Sequence, residues 1–93
     1  MISIIVPTFN EEKTIEIFLE EIKKLKLKNF ELIIVDDSFD RTAEIAKKLM
    51  KKFGIKGKVL KRIGKRGKGS AIRDGLKISK GEKIVLIDAD LQY

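Results

Sequence analysis

Asp88-Ala89-Asp90 carries two carboxylates two positions apart. In extended backbone such residues project to the same side, so both can face one divalent cation. Gln92 continues that alternation with an amide oxygen. Hard oxygen ligands suit Mg2+ or Mn2+, which can bridge a diphosphate and stabilise its charge as it leaves. Ala89, between the acids, leaves room for close approach of a substrate. A second acidic pair, Asp36-Asp37, ends an apolar run, and acids at strand ends accept hydrogen bonds from a ribose or base in nucleotide-binding sheets. The loop Gly64-Lys65-Arg66-Gly67-Lys68-Gly69-Ser70 sets supple backbone and three cations before a helical stretch, an arrangement suited to phosphate. Pro7, Thr8, Phe9 and Asn10 form the fourth segment of interest, as a strand stop and helix cap, with Phe9 either in the core or over a base.

Each segment also has a plainer reading. The Asp-x-Asp can be a solvated strand end, Asp37 and Ser38 a turn that satisfies backbone N–H groups, and the lysine-rich loop a solvated turn. The loop is not a Walker A motif, because Gly69 stands where Ser or Thr must follow Gly-Lys. No GxGxxG follows the first strand, so the dinucleotide fingerprint is absent.

Composition narrows the chemistry further. The 93 residues contain no Cys and no His, which removes disulfides, thiol catalysis, thiolate metal sites and the usual general base. Any metal is therefore held by oxygen. A net charge of +7 arises entirely between Gly54 and Gly69, where Lys56, Lys58, Lys61, Arg62, Lys65, Arg66 and Lys68 occur with no acid among them. Elsewhere bases and acids balance, which points to local anion binding rather than a generally basic protein. Hydrophobic residues at 43% and charged residues at 38% describe one globular domain over residues 1–93. No apolar run approaches the roughly 18 residues of a spanning helix. The N-terminus reads as a strand without a basic leader, which predicts no cleaved signal peptide and a cytoplasmic protein.

The elements that would position these residues follow from periodicity. Met1 to Val6 predicts a strand stopped by Pro7. Asn10 then caps a helix with Glu11 and Glu12 in its first turn, whose core face carries Ile15, Phe18, Leu19, Ile22 and Leu25. Phe30 to Val35 predicts a strand covered on both faces. Asp40 or Thr42 starts a second helix, ended by Gly54. Val59 to Ile63 predicts an edge strand because Lys61 and Arg62 interrupt it. A third helix runs through Ser70, Ala71, Ile72, Gly75 and Leu76 to near Gly81, and Lys83 to Ile87 predicts a fourth strand. The order βαβαβαβ favours a mainly parallel sheet with right-handed crossovers. In such a sheet ligands bind beyond the carboxyl ends of the strands, where all four unusual segments fall.

The order and spacing of Ile4-Ile5-Val6-Pro7-Thr8-Phe9-Asn10-Glu11-Glu12, Val35-Asp36-Asp37-Ser38 with Asp40 and Thr42, Arg66-Gly67-Lys68-Gly69, and Asp88-Ala89-Asp90-Leu91-Gln92 resemble family 2 glycosyltransferases. The ending looks most like dolichyl-phosphate mannose synthases and their polyprenyl-phosphate relatives. The resemblance spans essentially the whole chain and implies the α/β, Rossmann-like nucleotide-sugar-binding half of a GT-A fold. It implies transfer of a hexose, mannose or glucose, from a GDP- or UDP-sugar to a polyprenyl or dolichyl phosphate or another acceptor, with Mg2+ or Mn2+. By position, Pro7, Phe9, Glu11, Val35 and Asp37 would line the nucleoside pocket, and Lys68 would lie near base or phosphate. Asp88, Ala89, Asp90 and Gln92 would form the metal and diphosphate site, with Asp88, Asp90 and Gln92 as metal ligands and Asp90 the catalytic residue. Two departures are Phe9 in place of the more frequent Tyr, and Asp37-Ser38-Phe39-Asp40 in place of a glycine-bearing turn. Family members continue well beyond the position of Tyr93, where they carry the acceptor site. The expectation is a truncated domain inactive in transfer by itself, with no nucleic-acid partner. A rival expectation, from a different class, is a basic nucleic-acid or anionic-surface binding module, which the segment from Lys56 to Lys68 motivates.

Overall fold

The computed structural model describes residues 1–62 and 67–89, with backbone alone for Lys68. Strands and helices alternate as the apolar spacing predicts: β1 (Ile2–Thr8), α1 (Ile15–Lys24), β2 (Phe30–Asp36), α2 (Thr42–Phe53), β3 (Gly57–Lys61), α3 (Lys68–Ile78) and β4 (Lys83–Leu86). All strand pairs are parallel, in the order β3-β2-β1-β4. The predicted edge position of β3 is thus observed, although the strand begins earlier, and Ile63 lies outside the described residues.

Continuous apolar runs in β1 and β2 are explained by burial on both faces. Ile4, Val6, Leu32 and Ile34 point into one core with Phe18, Leu19 and Ile22 of α1 and Ala46 and Met50 of α2. The alternate residues Ile5, Ile33 and Val35 point into a smaller core with Ala71 of α3. Each of these Ile, Leu, Val, Phe and Met side chains, fully buried, stabilises the fold by about 1.5–3 kcal/mol relative to exposure. Right-handed crossovers demand this division. The chain steps outward from β1 through β2 to β3 with α1 and α2 on one face, then returns across the other face through α3 to place β4 on the far side of β1. Gly75 permits that return: a Cβ there would lie 2.7 Å from Ile5 Cγ2 and 3.3 Å from Val35 Cγ2, so α3 sits close against the sheet.

Three local expectations need correction, the first being Leu25, which caps the end of α1 and is exposed rather than on its core face. Pro7 does not stop β1, which continues to Thr8. The carbonyl of Ile5 accepts from Ile87 N on the β4 side and that of Thr8 from Asp37 N on the β2 side. Alternation therefore puts the Pro7 nitrogen on the β4 side, past the last paired residues Ile5 and Leu86, where a missing N–H costs no ladder bond. Asn10 does not cap α1 either. It takes a positive φ of 52°, and the helix begins at Ile15 after Thr14. Gly54 ends α2 in the left-handed conformation with φ 70°, as its position predicts.

Candidate functional site

The strand order reverses between β1 and β4, because α1 and α2 cover one face of the sheet and α3 covers the other. Open α/β sheets bind ligands at such a switch point, beyond the carboxyl ends of the strands. The loop after β1 and the loop after β2 are joined there by a series of hydrogen bonds. Asn10 N donates to Ser38 Oγ at 2.6 Å, and Phe39 N donates to Asn10 Oδ1 at 2.9 Å. Glu11 N donates to Thr42 Oγ1 at 2.9 Å, and Arg41 N donates to Glu12 Oε1 at 2.9 Å. Asp40 accepts from Thr42 N at 3.0 Å and from Thr42 Oγ1. Burial alone would raise the Asp40 pKa, but the Thr42 hydrogen bonds outweigh it and hold the carboxyl below its usual range. Residues Pro7 to Glu11 and Asp36 to Thr42 consequently form one platform rather than two separate loops.

The acidic pair divides its tasks. Asp36 is fully buried and accepts from Thr8 Oγ1 and Ser38 Oγ, each at 2.6 Å, and from Lys61 Nζ at 3.0 Å. Lys61 also donates to the Ser38 carbonyl at 2.6 Å. Asp36 is thereby committed to holding the platform. Asp37 stands beyond it, held by Arg62, whose Nε donates to Asp37 Oδ1 at 2.7 Å and whose NH2 group donates to Oδ2. Sequence reasoning placed Lys61 and Arg62 in an anion-binding basic segment. The structure spends both on internal acids, and Lys56 and Lys58 lie toward the opposite end of β3. The signal that could have revealed this is the placement of two bases at the end of a strand adjacent to one that ends in two acids.

Of the residues expected to act, Phe9 is 57% exposed on the platform and meets Phe39, 89% exposed, edge to face at 6.0 Å between ring centroids. Phe39 was not anticipated as part of this surface. Glu11 accepts from Ile15 N through its carbonyl at 2.8 Å, which fixes the entry to α1. Pro7 is half-buried at the end of β1, and Val35 is buried with its side chain in the smaller core, so only its backbone can face a ligand. Gly67 and Lys68 begin α3 beside the same edge, because Arg62 also reaches the Gly67 carbonyl at 3.4 Å. Asp88 is exposed immediately after Ile87, whose amide bonds to Ile5 O at 3.1 Å. Ala89 turns inward and is buried in the larger core. Asp37, the start of α3 and Asp88 therefore lie along one edge of the sheet. Asp90 and Gln92 lie outside the described residues. Among the described residues no group of three or more acidic, His or Cys side chains is gathered as for a metal ion, and Asp88 is the one described member of the expected ligand set.

Residues 3–93 match the family described as Glycosyl transferase family 2. The chain belongs to this family. It is 39% identical over 99 aligned positions to a dolichyl-phosphate beta-glucosyltransferase of Homo sapiens, covering 96% of this chain and 31% of the relative. It is also 39% identical to a dolichol-phosphate mannosyltransferase of Pyrococcus furiosus, covering 99% of this chain and 26% of that protein. The chain thus spans under a third of the length of these relatives. Among solved structures, the mannosyltransferase PcManGT of Pyrobaculum calidifontis, in complex with GDP-Man and Mn2+, superposes with a TM-score of 0.85 at 28% identity, covering 96% of this chain and 27% of that one. S. aureus TarS 1-349 in complex with UDP-GlcNAc gives a TM-score of 0.81 at 34% identity, covering 96% of this chain and 26% of that one. The α/β architecture is accordingly that of the GT-A glycosyltransferases. No helix among the described residues is long and apolar enough to cross a membrane.

Proposed function

We propose that this chain is the donor-binding region of a hexosyltransferase, taking GDP-mannose or UDP-glucose in a full-length protein that passes the sugar to a polyprenyl or dolichyl phosphate. The observation that carries this reading is that Asp37, bridged to the start of α3 by Arg62, and Asp88 both follow the carboxyl ends of parallel strands. An acid at the end of β2 suits a ribose or base, and an exposed aromatic pair beside it offers a face for stacking. Pro7, Glu11 and the backbone of Val35 complete the nucleoside pocket. A helix N-terminus with Lys68 attracts phosphate. Asp88 belongs, with Asp90 and Gln92, to the set that holds Mg2+ or Mn2+, and Ala89 sets their spacing. All the donors are oxygens, which is the chemistry such ions require. The metal, when bound, neutralises charge on the departing diphosphate. Asp90 is the residue assigned to catalysis.

Support for the donor and the metal comes from neighbours whose complexes contain GDP-Man with Mn2+ or UDP-GlcNAc. Support for the acceptor comes from relatives named for dolichyl phosphate. Residues 1–93 form a single truncated domain in this reading, binding donor without turning it over, and the full protein works at the cytoplasmic face of a membrane. Calorimetry with GDP and UDP, each with and without Mn2+, tests the proposal. The expected result is metal-dependent binding that Asp88→Ala weakens by at least about tenfold. A sample shown to be folded by circular dichroism that binds neither nucleotide in the presence of Mn2+ would contradict it.

A further inference from the structure

Asp37 arrives at the edge of the sheet already held from behind. Arg62, the first residue past β3, uses one side of its guanidinium as a fork on both oxygens of Asp37. The other side reaches across to α3, where NH1 donates to Ser70 Oγ at 2.8 Å and to Asp74 Oδ2 at 3.1 Å, and NH2 reaches the Gly67 carbonyl at 3.4 Å. Every guanidinium N–H therefore meets an acceptor. The side chain is only 3% exposed, so these bonds are shielded from water and from salt. The Asp37 hydrogen bonds raise the Arg62 pKa, and Asp74 adds to this despite burial. A guanidinium so engaged stays charged throughout the working pH range.

We propose that Arg62 is a positioning residue for the donor, fixing the Asp37 carboxylate against the first turns of α3 so that the two present themselves to the nucleotide as one rigid unit. The inference rests on the donor-site reading above. A carboxylate can accept about four hydrogen bonds, and a fork occupies only the lone pairs that face it. The remaining pairs of Asp37, whose side chain is 11% exposed, are those a ribose hydroxyl or a base N–H would meet. An acid on an unsupported loop would lose rotamer freedom on binding, whereas Arg62 has imposed that loss during folding, which is how preorganisation raises affinity. Bridging to Ser70, Asp74 and Gly67 also links the segment that reads the nucleoside to the helix start that faces the phosphates. A lysine cannot reproduce this, because a single ammonium has neither the planar fork nor the reach to both sides at once.

A double-mutant cycle on the 93-residue chain tests the inference, with GDP or UDP plus Mn2+ as the probe, at a temperature where circular dichroism shows every variant folded. Arg62→Lys should weaken binding about tenfold, the scale seen when a partner that orients a ligand-holding group is lost. In an Asp37→Asn background the same substitution should cost little further, since Arg62 acts through Asp37. Amide exchange at residues 67–74 supplies a readout that needs no nucleotide: Asp37→Asn should speed exchange in the first turns of α3. Wild-type affinity in folded Arg62→Lys, or an equal penalty in both backgrounds, would overturn the inference and reduce Arg62 to a structural staple. If the wild-type chain binds no nucleotide, the donor-site reading fails, and the exchange result then decides alone: acceleration upholds the coupling, and unchanged exchange overturns it.

Discussion

Glu31, near the start of β2, and Asp40, in the loop between β2 and α2, titrate for similar reasons. Burial would raise the Glu31 pKa, but hydrogen bonds from Ser3 Oγ and Lys80 N, each at 2.6 Å, reverse it with help from the charges of Lys58 and Lys80. Asp40 is likewise held low by Thr42. Depressed carboxyls stabilise the fold fully above their unfolded values, about 4, and that contribution disappears as pH falls through the folded values. Urea midpoints should therefore be level above about pH 5 and fall below about pH 4. Glu31→Gln should flatten part of that fall, and an acid transition identical to wild type in this variant would contradict the assignment. At this scale the sequence disclosed which residues were unusual but not what held them. Asp36 and Asp37 look equivalent as a pair, yet one is consumed by Thr8, Ser38 and Lys61 and the other is presented by Arg62. Apart from Ser38, those partners lie about as far from the acids in sequence as one strand lies from the next, beyond what spacing rules can see.

The helices and strands were largely legible because the two periodicities differ so clearly. Apolar residues recur at helical spacing in α1 and α2, and continuous runs mark the strands covered on both faces. Element ends were less legible where long-range bonds decided them. Asn10 has the chemistry of a cap, but its carboxamide accepts from Phe39 N in the neighbouring loop, and α1 starts later. Pro7 has the chemistry of a strand stop, but it falls where the β4 ladder has already ended. Gly75 in α3 reads from spacing only as part of a helix, whereas its lack of a side chain sets the distance between α3 and the sheet. Gly75→Ala would gain about 1 kcal/mol in helix propensity. The new methyl would collide with Ile5 and Val35, and such overpacking costs about 1–3 kcal/mol. The expected net effect is a loss of up to about 2 kcal/mol in urea denaturation, and a variant more stable than wild type would show that α3 can lift away freely.

At the scale of the molecule, the alternation of strands and helices foretold a parallel sheet, and the family resemblance foretold its kind. The strand order β3-β2-β1-β4 was not stated by periodicity, yet it creates a switch point between β1 and β4 on the side of the sheet where Phe9, Asp37 and Asp88 follow their strands. Their distribution along the chain is explained by that topology: each follows a strand, and parallel strands all end on one side. The charge excess reads differently once folded, since Lys61 and Arg62 are paired with Asp36 and Asp37 instead of facing an external polyanion. What the gathered edge binds is the central claim, and the most direct measurement is a crystal structure of the chain with GDP or UDP and Mn2+. The account predicts a nucleoside within hydrogen-bonding distance of the Asp37 carboxylate and a pyrophosphate running past the start of α3 toward Asp88. A nucleotide bound instead at the opposite end of the strands, or along the outer side of β3, would contradict it.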